Sequence, residues 1–176
     1  GELAKRLDHA QPELAKKLRS LPSNDQVLAQ SLAQAPSVLG AAGFDFKTYT
    51  TSEGLKTWPV VLNGGDTLPA VVRDYPAVLA SLPLLQSAAM GQALLSVDAS
   101  SDGAIRRIPL LAHVNGQPVP ALAVEMYRVA LGQPSTQVQL GHHGVASVSV
   151  GDLHVPTQSN AEVFVHYALS AQTSKR

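Results

Sequence analysis

Asp98-Ala99-Ser100-Ser101-Asp102-Gly103-Ala104-Ile105-Arg106-Arg107-Ile108-Pro109-Leu110-Leu111 is the stretch on which the reading of the fold turns. Asp-Gly favours positive backbone dihedrals at both positions, as a two-residue type I′ turn requires, and apolar runs flank it on both sides. The pattern predicts a hairpin with strands over 93–99 and 105–114. In that register Val97 faces Ile108 and Leu95 faces Leu110, while on the other face Asp98 meets Arg107. Asp98, Ser100, Asp102 and Gly103 also match the first half of an EF-hand calcium loop. The twelfth position counted from Asp98 is Pro109, where that loop needs a bidentate Glu, so a calcium cage cannot close.

Composition narrows the function classes. The chain has 176 residues, enough for one domain with a real core, and the reading takes 1–176 as a single unit. Its 13 Lys and Arg balance 13 Asp and Glu, so net charge draws it neither to nucleic acid nor to an anionic membrane surface. Cysteine is absent, which excludes disulfides and thiolate sites. No apolar run approaches the roughly 18 to 20 residues of a membrane-spanning helix, and no signal-peptide pattern opens the chain. The first residue is Gly1, so the expectation is an excised piece of a longer protein.

Outward from the central stretch, helical and extended patterns mix. Leu3, Leu7, Leu14 and Leu18 recur at helical spacing around Pro12. Ser23 and Gln26 form a capping box for a second helix with Leu28, Leu32 and Ala35 on one face, ending before Pro36. Val38 to Ala42, closed by Gly43, suits a buried strand, and 44–59 reads as an exposed connection with Trp58 as a packing anchor at its end. A brief strand at Val60, Val61 and Leu62 precedes the turn residues Asn63-Gly64-Gly65-Asp66. Pro69, Pro76 and Pro83 suggest short helices, the last stopping at Gly91. Asn115-Gly116 marks another turn, and Pro120 opens a helix with Leu122, Met126, Val129 and Ala130 on its apolar face, stopped by Gly132. Strands follow at 138–140, 145–150, 153–156 and 163–167, with a corner at Gly151-Asp152. The fold class is therefore mixed α/β, a sheet with hairpins flanked by amphipathic helices.

The segment from Asp102-Gly103 through Ile105-Arg106-Arg107-Ile108-Pro109-Leu110-Leu111, the turn at Gly116 and the helix opening Pro120-Ala121-Leu122-Ala123 together resemble the core signature of CHASE2 domains. Leu28-Ala29-Gln30-Ser31-Leu32 with Pro36-Ser37-Val38-Leu39-Gly40 is similar to that family's helix-then-strand unit. Gly151-Asp152-Leu153-His154-Val155-Pro156-Thr157 is similar to its late hairpin. The resemblance implies an extracytoplasmic, periplasmic sensory domain of a bacterial receptor anchored in the inner membrane, with a cyclase or kinase output outside this chain. It further implies a small ligand or a protein cue and, by fold-level analogy, a homodimer; the residues themselves call for no cofactor. Family members continue beyond both ends, so the expectation is an incomplete domain whose sheet presents an edge.

Arg106 and Arg107 are the leading candidates for a chemical role, because neighbours on a strand face opposite sides. In the predicted register Arg107 pairs with Asp98, while Arg106 shares the apolar face of Ile108 and Leu110 and must find an anion or carbonyls. Asp98, Asp102, Arg106 and Arg107 are thus the candidate ligand-binding residues. His142 and His143, with His154 or His166 as a third ligand, make a poor metal site, since adjacent histidines on an extended chain diverge. No Gly-x-Ser-x-Gly elbow, His-Glu-x-x-His pair or phosphate loop is present, so the sequence points to a binding protein and away from an enzyme. The alternative reading is a soluble periplasmic module that binds a solute or a metal.

Overall fold

The computed structural model describes residues 16–17, 20–46, 55, 59–98 and 100–167. The helical spacing at 3–18 and Trp58 lie essentially outside them. Helix α1 (Asn24–Ala33) begins at the capping box: the Gln26 amide donates to the Ser23 hydroxyl, and the Ser23 amide donates to the Gln26 side chain. Its inward residue is Ala29 and not the expected Leu28, which stays largely exposed. Strand β1 (Val38–Phe44) follows, with small residues at its centre. Next come β2 (Val60–Asn63), β3 (Asp74–Tyr75), β4 (Ala77–Leu79), helix α2 (Pro83–Ala88) and β5 (Gly91–Leu94).

Between Pro69 and Leu79 the structure has turns and short strands where short helices were expected. Pro76 removes a donor between β3 and β4, and each then finds a different partner. β1 is the centre of a three-stranded sheet ordered β4-β1-β5, antiparallel to β4 and parallel to β5, with Ala41 opposite Leu94.

The expected hairpin about Asp102-Gly103 does not form. β5 stops at Leu94, all four of its residues are buried, and its ladder runs to β1. Neither Val97 with Ile108 nor Leu95 with Leu110 pairs. β6 (Arg107–Pro109) instead joins β12 (Glu162–Phe164) in an antiparallel ribbon with Ile108 opposite Val163. The type I′ turn lies at Asn115-Gly116, with φ of 50° and 75°, joining β7 (Leu111–Val114) to β8 (Gln117–Pro120). Around Asp102 only Gly103 has positive φ, so that turn takes another form. Burial of β5 on β1 and closure of the real hairpin thirteen residues further on together outweigh the local Asp-Gly preference.

Helix α3 (Leu122–Ala130) starts after Pro120, which closes β8. The last sheet is ordered β11-β10-β9-β2, built from β9 (Thr136–Gly141), β10 (Gly144–Val150) and β11 (Leu153–Pro156), with β2 parallel to β9. Two apolar clusters result. One gathers Ala41, Tyr75, Val78, Leu94, Ala112, Val114 and Val119, and the other Leu68, Val72, Leu111, Val138, Val145, Val148 and Ala161. β7 serves both, because successive side chains of a strand point to opposite faces. No helix among the described residues is long and apolar enough to cross a membrane.

α3 lies against β1 and β5 on one side and β9 and β10 on the other. Its innermost residues are charged. Glu125 is fully buried and Arg128 is 7% exposed, and they make two hydrogen bonds, from Arg128 Nε at 2.8 Å and Nη2 at 2.7 Å. Arg128 also donates to the carbonyls of Gln133 at 2.7 Å and Met90 at 3.4 Å. Gly91 makes room for this pair: a Cβ there would lie 2.6 Å from Glu125 Oε1. Met126, expected on the apolar face, is 53% exposed.

Removing one member of a buried pair strands the other, which costs about 3–5 kcal/mol. Glu125→Ala and Gly91→Ala are therefore expected to lower the urea midpoint sharply, whereas Met126→Ala moves it little. Equal midpoints for Glu125→Ala and Met126→Ala would show that the ion pair does not hold the helix in place.

Candidate functional site

The chain leaves β5 at the end of the first sheet, runs through a turn at 100–104, and re-enters as β6. The Ser100 amide donates to the Ala104 carbonyl at 2.9 Å and the Gly103 amide to the Ser100 carbonyl at 2.8 Å. Gly103 takes φ of 79°, the left-handed position of a three-residue loop. A second turn repeats this pattern. The Gln158 amide donates to the Glu162 carbonyl at 2.8 Å and the Ala161 amide to the Gln158 carbonyl at 2.9 Å, with Ala161 at φ of 65°. The second turn delivers β12 to β6.

Between the two turns and along the β6–β12 ribbon lies a groove of about 660 Å³, bordered by Asp98, Ser100, Arg106, Arg107, Glu162 and Phe164. Three of the four residues singled out in the sequence thus line one concavity, and Asp102 joins them through Arg106. Their partners differ from those expected. Arg106 does not lie on an apolar face. It is exposed and clasps Asp102, with Nη1 to Oδ1 at 2.7 Å and Nη2 to Oδ2 at 2.6 Å. The hydrogen bonds from Arg106, then that from the Ala104 amide at 3.2 Å, lower the Asp102 pKa to about 2.

Arg107 does not meet Asp98. It points toward Glu162 on the opposite strand, 3.9 Å away, and its guanidinium lies 5.1 Å above the Phe164 ring. Asp98 turns to Arg73 at 3.6 Å, and Arg73 donates to Asp45 at 2.5 Å. Burial works against the charge on Arg73, but Asp98 and Asp45 outweigh it and hold its pKa above the ordinary value. Arg73 also lies 5.4 Å over the ring of Tyr75, whose phenol pKa is pushed up by burial and then by Asp98. The carboxyl ends of β1 and β5 are therefore tied to β3 beside the groove.

The family model of the CHASE2 domain matches residues 4–175. The chain belongs to the CHASE2 family. CHASE2 domains are extracytoplasmic sensory domains. No curated protein and no solved structure matches it.

In this CHASE2 domain the far wall of the groove runs from Asn160 to Tyr167, and of its residues the sequence had singled out only His166, as a possible metal ligand. The strand at 163–167 was legible, but not its pairing with β6. Tyr167 donates to the Ile105 carbonyl at 2.7 Å and the Val165 amide to the Arg106 carbonyl at 2.9 Å, which bring the wall across. His142 and His143 occupy the β9–β10 turn, and His154 meets the Ser149 hydroxyl through Nδ1 at 3.0 Å. Among the described residues no three His, Cys, Asp or Glu side chains gather as metal ligands.

The clasp has a defined pH response. Asp102 is lowered in the fold from an ordinary 3.8, so its contribution is complete above pH 3.8 and disappears as pH falls through about 2. An NMR titration is expected to place the Asp102 carboxyl midpoint near 2, and to return it to the ordinary carboxylate range in Arg106→Ala. Because both groups are solvent-exposed, Arg106→Ala is expected to leave the melting temperature within the range of other surface substitutions. A Asp102 midpoint that Arg106→Ala leaves in place would rule out the clasp.

Proposed function

We propose that this CHASE2 domain is the periplasmic input module of a bacterial receptor anchored in the inner membrane, with a cyclase or kinase output carried elsewhere in the protein. The groove between the 100–104 turn and the β6–β12 ribbon is its ligand site. On this reading the domain binds and does not catalyse. The supporting observation is the convergence of Asp98, Arg106 and Arg107 with Glu162 and Phe164, which lie more than fifty residues later in the chain. A ligand held there touches two segments at once. An isolated two-stranded ribbon is marginal in water, so groups that bridge it to the 100–104 turn favour one spacing of the groove over another. Signalling then follows as a population shift, limited by the ligand's differential affinity for the two spacings.

A thermal-shift screen of the protein against metabolites and small anions tests the site. A ligand at about 100 times its Kd adds roughly 2.7 kcal/mol, a clear rise in melting temperature. The rise is expected to vanish in Arg107→Ala while the variant alone melts like the parent. Hits indifferent to Arg107 would move the site elsewhere. For the anchor, the flanking reading frame is expected to encode apolar segments of about 20 residues, and their absence would overturn the membrane assignment.

A further inference from the structure

The charged side chains around the groove are not equally engaged. Arg106 is committed, since both of its terminal nitrogens donate to Asp102 in a bidentate pair that balances its charge. Arg107 is held in position by the Phe164 ring, yet its carboxylate neighbour Glu162 stands at 3.9 Å, beyond hydrogen-bond reach, and its side chain is 58% exposed. Asp98 is in the same condition with the sign reversed. Arg73 favours Asp45 and leaves Asp98 at 3.6 Å and 61% exposed. The groove therefore offers one guanidinium and one carboxylate that neighbours orient without forming a short charge-assisted hydrogen bond among the described residues.

Resting on the reading of this groove as the ligand site, we propose that its ligand is a zwitterion of the amino-acid class. Arg107 takes the carboxylate and Asp98 takes the ammonium. A guanidinium presents paired donors that match a carboxylate in two parallel hydrogen bonds, which suits Arg107 to that end. A simple anion entering the groove gains Arg107 but also faces Asp98 and Glu162. A simple cation gains Asp98 but faces Arg107. Only a ligand carrying both charges gains at each end. Phe164 and Val165 add an apolar wall for a side chain, and 660 Å³ accommodates a free amino acid or a short peptide.

The test is calorimetric titration of the protein with the twenty common L-amino acids and, for the tightest binder, with its decarboxylated amine and its N-acetyl derivative. The amino acid is expected to bind at least tenfold more tightly than either derivative. Arg107→Ala is expected to abolish the preference over the amine, and Asp98→Asn the preference over the N-acetyl form. These selective losses separate recognition from a general loss of folding, which would weaken all three ligands together. Amino acids that bind no better than their derivatives overturn the zwitterion proposal. So does a metabolite-screen hit that carries only one sign of charge, depends on Arg107 and is not displaced by amino acids, although the groove then survives as a ligand site. No Arg107-dependent binding by any compound overturns the groove itself.

Discussion

The buried ion pair between Glu125 and Arg128 is the constraint around which the rest of the molecule is arranged. Taking two charges out of water is costly, and the cost is met only where geometry is good and the remaining donors find partners. Here two hydrogen bonds join the pair, and Arg128 reaches the backbone carbonyls of Gln133 and Met90. Those carbonyls belong to the approach to β9 and the entry to β5, so one side chain fixes the helix to both. Gly91 is the concession the backbone makes to let Glu125 in.

That anchoring determines where the groove falls. With the start of β5 set against α3, the strand runs beside β1 and ends at the edge where Asp98, Arg73 and Asp45 meet. The chain then returns through the 100–104 turn to β6. Leu110 couples the ribbon to the interior, because its amide donates to the Ala161 carbonyl and its carbonyl accepts from the Ala121 amide at the head of α3. The groove is thus linked through one residue to the helix that joins the two cores. A change of spacing across the groove has a short covalent and hydrogen-bonded route to the helix.

Much of this was legible in the sequence and some was not, for reasons that particular residues make clear. The capping box at Ser23, the Asn115-Gly116 turn and the hairpin at Gly151-Asp152 are local features, set by hydrogen bonds and dihedrals within a few residues, and each was read correctly, while α3 was found but starts at Leu122, after the Pro120 that was expected to open it. Asp102-Gly103 failed because a turn preference cannot reveal that β5 has a better partner more than fifty residues behind it and β6 one more than fifty residues ahead. The arginines were identified as candidates and do line one groove, but their carboxylate partners were assigned from a register that does not exist. Glu125 carried a signal that was passed over: it lies on the same helical stripe as Leu122 and Val129, where a charge calls for an internal partner, and Arg128 stands one turn on.

The two turns that frame the groove share a hydrogen-bond pattern but not a residue at the left-handed position. Around Gly103 there is open space, with nothing within 4 Å of where a Cβ would lie. Ala161 accepts the strain of positive φ because its methyl is wholly buried in the second core, and the Ser159 carbonyl beside it is held by the Val145 amide. The two lips consequently answer substitution differently. A side chain at Gly103 would meet no neighbour and would carry only the strain of positive φ, a local cost borne by an exposed turn. Enlarging Ala161 would instead push into the second core, so a change on that lip is felt by the fold as well as by the groove.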